Sequence, residues 1–342
     1  GRLFSKKNKQ ILYHSLGKKM RSKLSLQKSK KCYICKNLFE DLELYLDLLL
    51  AKSSNYQFKT FVLGTIIKPS LSERDDFIKS RFKIRAVDSL KSSITKELSR
   101  KFSRKSRSIL SNLDPELTLT VNLKTHSCEL RTKPIYLYCR YTKHKRGFTQ
   151  KQSPCENCNG KGCISCKNHG IVRYDSVEGK ISDFLYRKFH TDRIKINWVG
   201  GEDKSSLVLG KGRPIFIKIL NPLKRNIRFP KNAKLDGVIL SHLKIIKDQP
   251  SGSKQFRSSV LLNIETKDRI NSEHLKKIKN ITNKPVKIFE KNGKTNQKYI
   301  YRINYKKNGN NLLIVTMLTD GGLPIKRFVE GRDVLPSISS VI

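Results

Sequence analysis

At 342 residues the chain has room for about two domains, and 72 Lys+Arg against 28 Asp+Glu leave a formal net charge of +44. A surface that basic repels itself unless a polyanion is near, so nucleic acid is the expected partner, with an anionic membrane surface as the alternative. No run of about 18 apolar residues occurs, which excludes a membrane-spanning helix; the Lys-rich start lacks the apolar stretch of a signal peptide, and a soluble, cytoplasmic monomer is expected.

Residues 1 to 31 are basic with scattered apolar positions and read as a helix pair or a loose arm. After Cys32-Tyr-Ile-Cys35, "LFEDLELYLDLLLAKS" predicts an amphipathic helix with Glu40 and Asp41 in its first turn, where the helix dipole favours acids. "YQFKTFVLGTIIKP" (56 to 69) alternates and predicts a strand. Leu90, Ile94, Leu98 and Phe102 stand four apart among Lys and Arg, so the next element is a basic amphipathic helix. "LTLTVNL" (117 to 123) and "IYLYCRY" (135 to 141) alternate as strands. Strand, helix, strand, strand makes a small α+β domain over 56–146. Its candidate RNA-binding residues are Lys101, Arg104, Lys105 and Arg107 on the helix, and Lys143, Lys145 and Arg146 where the domain ends.

Beyond a cysteine-rich segment at 147–175 the chain reads mostly as strands: 194–199, 206–209, 214–220, 236–246, 255–265, 285–290, 298–305 and 311–318. One short helix near "SEHLKKIKN" interrupts them, with Ser272 as its N-cap. "KKNGNN" is a turn. Many strands and few helices imply a mixed, largely antiparallel sheet over 176–342, and the chain as a whole is α+β.

Six of the eight cysteines form Cys-x-x-Cys pairs, which in a cytosolic chain favours metal over disulfides. "CENCNGKGCISC" supplies two such knuckles, Cys155/Cys158 and Cys163/Cys166, able to close a tetrahedral thiolate site around zinc. Four thiolates leave no open position, so the metal is structural, and no cofactor for catalysis is expected. Cys32 and Cys35 are half a second site. Cys128 and Cys139 fall on predicted strands and read as small buried apolar residues. The Cys-x-x-Cys-x-Gly-x-Gly pattern also occurs in a chaperone family, but that family's repeat and its His-Pro-Asp loop are missing. No His-x-x-x-His is present to suggest a zinc hydrolase.

Gly200-Gly201-Glu202-Asp203 places two acids on a turn between apolar strands, followed by "GKGRP" with its backbone amides and Arg213. An acid in such a turn is ordinary by itself. In a basic groove, however, a carboxylate stays ionised and can serve as a nucleophile.

In these features the chain resembles the archaeal-type tRNA pseudouridine synthases that modify positions 54 and 55 of the T-arm. "GRLF" looks like the tail of that family's first cysteine segment, so the chain is expected to be clipped or to start late, and "KCYIC" resembles its second cysteine pair. Residues 56–146 resemble its THUMP region, an RNA-binding α+β module. "PCENCNGKGCISC" resembles its four-cysteine insertion, "GGEDKSSLVLGKGRPIFIKILNP" its catalytic signature, and "TDGGLPIKRFVEGRDVLPSISSVI" its closing segment. The resemblance implies Asp203 as the catalytic aspartate. It implies Phe256 of "KQFRS" as the ring that stacks on the flipped uracil, Arg213 as a substrate contact, and tRNA held by acceptor end and T-arm. The chain departs from the family at three positions. Gly201 and Leu207 stand where it has arginines, and Pro324 occupies the substrate-side position of an expected tyrosine. "FEKN" is a weak version of its basic segment. Lys204, Arg213 and Lys218 are the candidates to replace the missing cations. The alternative is therefore a tRNA-binding protein or RNA chaperone on the same fold.

Overall fold

The computed structural model describes residues 31–341 apart from 251, 253, 254, 291 and 292. The arm or helix pair expected before Cys32, "GRLF", Lys254 and half of "FEKN" lie outside the described residues. The chain divides into two compact units, one running to Asn197 and resuming over Leu207–Gln249, the other made of Trp198–Ser206 and Pro250–Ile342.

In the first unit, the first helix among the described residues is α1 (Leu42–Ser53). Asp41 is its N-cap and Glu43 lies in its first turn, so the acids sit at the expected end, though the helix starts after Glu40. Strand β1 (Thr60–Ile66) is shorter than expected because Pro69 opens a helix, α2 (Pro69–Arg81). Proline suits the first helical position, where its missing N–H is not needed. Few apolar residues lie on α2, so no stripe announces it. Its buried Asp75 accepts from the Leu90 amide at 2.8 Å and from Lys79 Nζ at 2.7 Å, which ties α2 to the start of α3 (Leu90–Ser106).

The predicted stripe Leu90, Ile94, Leu98 and Phe102 is wholly buried. It joins Leu42, Tyr45, Leu46 and Leu49 of α1 over a sheet ordered β2-β1-β3-β4. Here β2 is Ile109–Leu110, β3 Leu117–Asn122 and β4 Ser127–Thr132. β1 runs parallel to β2 and β3, as a helical crossover requires. Each fully buried Leu or Phe here contributes roughly 1.5–3 kcal/mol.

Strand β5 (Ile135–Lys143) does not belong to this sheet. It is the middle strand of another, ordered β6-β7-β5-β9-β8, with β6 at Arg193–Trp198, β7 at Val208–Leu220, β8 at Asn232–Leu235 and β9 at Val238–Ile246. The α+β module thus ends at β4, and the boundary expected at 146 lies too late. Alternation marks a strand but not its partners, and β5 follows β4 after only a short link. Helix α4 (Val177–Phe189) was not anticipated, although Val177, Ile181, Leu185 and Phe189 repeat the four-residue spacing of α3 and are all buried.

The second unit is an antiparallel sheet ordered β10-β13-β12-β11-β14. Its strands are β10 (Arg257–Glu265), β11 (Pro285–Phe289), β12 (Thr295–Asn308), β13 (Leu312–Asp320) and β14 (Val334–Leu335). Gly309 makes the expected turn between β12 and β13, at φ 77°. Helix α5 (Ser272–Lys279) is capped by Asn271, whose side chain accepts from the His274 amide, and not by Ser272, which is the first helical residue. Ile278 of α5, Phe328 of α6 (Ile325–Glu330) and the inward residues of the strands form the core.

Candidate active site and metal centre

The loop between β6 and β7 carries Glu202 and Asp203. Ser206 donates from its amide at 3.1 Å and its hydroxyl at 2.8 Å to the carbonyl of Asp203, which fixes the turn. Asp203 is exposed and Glu202 half-buried. Asp203 and Phe256, distant in sequence, fall in the same compact unit, together with Lys204 and Pro324. Arg213 and Lys218 fall in the other, on β7, where Lys218 Nζ lies 5.6 Å from the centroid of the Tyr136 ring.

Phe256 is held from below. Its carbonyl accepts from the Gly321 amide at 2.6 Å. Its ring covers the Cα of Gly321 so closely that a Cβ there would stand less than 3.0 Å from three ring carbons. Only glycine fits under this ring. The neighbouring Arg257 lays its guanidinium 4.0 Å from the centroid of Tyr301. Tyr301 donates its hydroxyl to Asp320 at 2.7 Å, and the other Asp320 oxygen accepts from the Tyr299 amide at 2.8 Å. The bond to Asp320 pushes the Tyr301 phenol above its ordinary value. Arg257, Tyr301, Asp320 and Gly321 were not singled out from the sequence, although "KQFRS" and "TDGGLP" contain three of them, because their roles depend on the pairing of β10 with β13, where Arg257 stands opposite Asp320. Pro324 is the N-cap of α6, its carbonyl accepting from the Phe328 amide at 2.9 Å.

The four cysteines converge as the spacing predicts. Cys155 and Cys163 sulfurs are 3.9 Å apart, Cys158 and Cys166 3.8 Å, and Cys163 and Cys166 3.6 Å. Four sulfurs about 2.3 Å from a tetrahedral zinc would stand about 3.8 Å apart, so the donor set fits the ion. Amides of Cys163 and Gly170 each point at the Cys166 sulfur from 3.2 Å. Burial opposes charge on both Cys155 and Cys166. At Cys155 it prevails and pushes the thiol up to about 11; at Cys166 the amides outweigh it and bring the thiol down to about 6. Gly170 allows the loop to close, because a Cβ there would sit 2.6 Å from the Gly160 carbonyl oxygen. The cluster is anchored by Gln152, which accepts from the amide and hydroxyl of Ser176 at the start of α4. The other knuckle, Cys32 and Cys35, is a turn closed by the Asn37 side chain on the Cys32 amide at 2.7 Å, with Cys35 buried. Cys139 is buried on β5 and Cys128 half-buried on β4.

The expected RNA-facing cations divide. Arg104, Arg107, Lys145 and Arg146 are exposed. Lys101 is paired with Glu43, and Lys105 lies 3.7 Å from Glu43 and 4.0 Å from Asp47, so these two partly neutralise α1. Lys145 shares Asp236 with Lys180. Lys143 does not face solvent as expected. It has no exposed surface and donates to the Phe148 carbonyl at 3.1 Å, because it follows Ile135, Leu137, Cys139 and Tyr141 in the alternation of β5 and so lies on the inward face.

The family model described as "Pus10, C-terminal" matches residues 136–342, and that described as "Pus10 THUMP domain, archaeal" matches 45–122. The chain belongs to the Pus10 family. The first match begins within β5, in keeping with the strand's place in the second sheet. Among curated relatives, the "tRNA pseudouridine synthase Pus10" of Nitrosopumilus maritimus is 46% identical over all of this chain and 89% of its own length. That of Cenarchaeum symbiosum is 33% identical over all of this chain and 84% of its own. The Korarchaeum cryptofilum protein of the same name is 23% identical over 91% of this chain and 89% of its own length.

Proposed function

We propose that the protein is a tRNA pseudouridine synthase that isomerises uridine at T-arm position 54, 55 or both, with Asp203 as the catalytic carboxylate. The observation that carries this reading is the placement of Asp203 in the same compact unit as Phe256, whose ring is braced on Gly321. The relatives' names support the reaction. In that reaction the uridine leaves its stack and lies on the Phe256 ring. Asp203 assists cleavage of the N1–C1′ bond. The uracil turns and C5 bonds to C1′; the proton lost from C5 is matched by the one gained at N1, so nothing is consumed and no cofactor takes part. Cys155, Cys158, Cys163 and Cys166 hold a structural zinc, which organises the loop before α4. The THUMP module takes the acceptor end through Arg104 and Arg107, with Lys101 and Lys105 released from Glu43 and Asp47 as phosphates approach. Lys145 and Arg146 extend the basic surface.

The test is pseudouridine mapping in an unmodified tRNA transcript incubated with the purified protein. T-arm uridines should convert, and Asp203→Asn should abolish conversion while tRNA affinity stays within a few fold. A parent protein that binds the transcript and leaves every uridine unchanged would refute the enzyme and favour the binding protein suggested by Gly201, Leu207 and Pro324.

A further inference from the structure

Sheet β6-β7-β5-β9-β8 buries Ile135, Leu137, Cys139 and Tyr141 on one face of β5. A half-solvated antiparallel strand ordinarily turns polar residues outward. Here the opposite face carries rings. Register sets its side chains in rows across three strands: Lys218–Tyr136–Ile246 and, next to it, Phe216–Tyr138–Lys244, in the order β7, β5, β9. Lys244 is exposed, and Tyr136, Tyr138, Phe216 and Lys218 each keep part of their surface in solvent. Lys218 Nζ lies 5.6 Å from the centroid of Tyr136, and Lys244 Nζ 5.2 Å from that of Tyr138. Tyr138 and Phe216 are 5.5 Å apart and tilted by 54°. Arg140, the next outward residue of β5, steadies this surface. It donates to the Lys211 and Gly212 carbonyls at 2.6 Å each and to the Tyr138 hydroxyl at 3.3 Å. Neither row contains a carboxylate.

We propose that this face is a stacking platform for an unpaired segment of RNA, with Tyr136, Tyr138 and Phe216 receiving bases and Lys218 and Lys244 meeting the phosphates beside them. The proposal rests on the reading of the chain as an RNA-binding enzyme and adds a surface whose residues are distinct from Asp203 and Phe256. Charge complementarity selects the occupant: two rows with two ammonium groups and no acid, in a chain of net charge +44, fit a polyanion. The rings select which polyanion. An acidic peptide uses the lysines but not the rings, whereas every nucleobase has a face to stack and a phosphate beside it. Duplex RNA hides its base faces in its own stack. Tyr136 and Tyr138 are two residues apart on one strand, about 6.8 Å. That is too wide for bases stacked on one another, so the bound bases are splayed and each finds its own ring.

The probe is a short fluorescent single-stranded oligouridine, titrated against the full chain across a salt series, with an RNA duplex as competitor. Tyr138→Leu combined with Phe216→Leu keeps the apolar bulk and should weaken oligouridine binding roughly fivefold or more per ring removed. Lys218→Gln with Lys244→Gln should lower the slope of log affinity against log salt by about 1.4, the effect of two single-strand phosphate contacts. Melting temperatures of both variants guard against misfolding, and the solvent-reaching lysine pair keeps the test decisive should the ring variant unfold. Parental oligouridine affinity and parental slope in folded variants overturn the proposal, as does a duplex that competes as well as the single strand. Pseudouridine mapping is read separately. Oligouridine binding that depends on these residues in a protein inactive on tRNA sinks the enzyme reading and leaves the platform; the converse sinks the platform alone.

Discussion

Gly321→Ala adds one methyl group where the structure has no space for it. The added Cβ would stand less than 3.0 Å from three carbons of the Phe256 ring, while carbon atoms rest about 3.5–4.0 Å apart. The ring must therefore move by about 0.5 Å or more, and the bond from the Gly321 amide to the Phe256 carbonyl, 2.6 Å, resists a shift of the backbone beneath it. Overpacking of this kind costs about 1–3 kcal/mol of stability, which leaves a domain of ordinary stability folded. The effect on reaction is larger in proportion. A group misplaced by about 1 Å can lose a factor of roughly 100 in rate, and a lost base stack is worth about 1–3 kcal/mol. Single-turnover pseudouridine formation should fall roughly ten- to a hundredfold, while tRNA affinity, set by many phosphate contacts, changes little. The decisive assay is a double-mutant cycle. If Gly321 acts through the ring, Gly321→Ala has almost no further effect in a Phe256→Ala protein, and the coupling is about 1–3 kcal/mol. Additive effects, or a parental rate for Gly321→Ala alone, would refute the reasoning.

Other perturbations test other parts of the molecule. Freshly prepared protein should carry about one zinc per chain by metal analysis, and Cys155→Ser with Cys158→Ser should remove it and lower the melting temperature; metal-free parent protein prepared under reducing conditions would exclude the site. Acid should also release the metal, because protons compete for the thiolates. Retention, measured by a chromophoric chelator, should fall progressively as the solution is acidified. Asp236, held between Lys145 and Lys180, is depressed to about 2, so its favourable contribution is present above the unfolded carboxylate range and fades only as pH falls toward 2. Asp236→Asn should therefore leave the melting temperature at pH 3 closer to the parent's than at pH 7. Asp75→Ala should cost about 3 kcal/mol in denaturant unfolding, since it strips the Leu90 amide and Lys79 of a buried acceptor. A change below about 0.5 kcal/mol would mean that the network does not hold α2 to α3.

Local spacing was enough to determine several features of this protein. Two Cys-x-x-Cys knuckles separated by a short glycine-bearing turn can bring four sulfurs to one point within a single loop, and they do. Leu90, Ile94, Leu98 and Phe102 line one side of a helix by its own geometry, whatever packs there. The order of motifs along the chain was likewise enough to suggest the family. Pairing was not written locally. The alternation of β5 is the same whichever sheet receives it, and only the tertiary structure joined it to β7 and β9, moving the domain boundary and creating the ringed face. Lys143 continues the inward-facing alternation of β5, and because the packing covers that end of the strand, a basic residue expected at the surface became buried. The support beneath Phe256 also depends on register. Gly321 and Asp320 reach the Phe256–Arg257 strand only because β10 and β13 lie side by side, and a hydrogen-bonded ladder between segments distant in sequence is decided by the packing of the whole sheet.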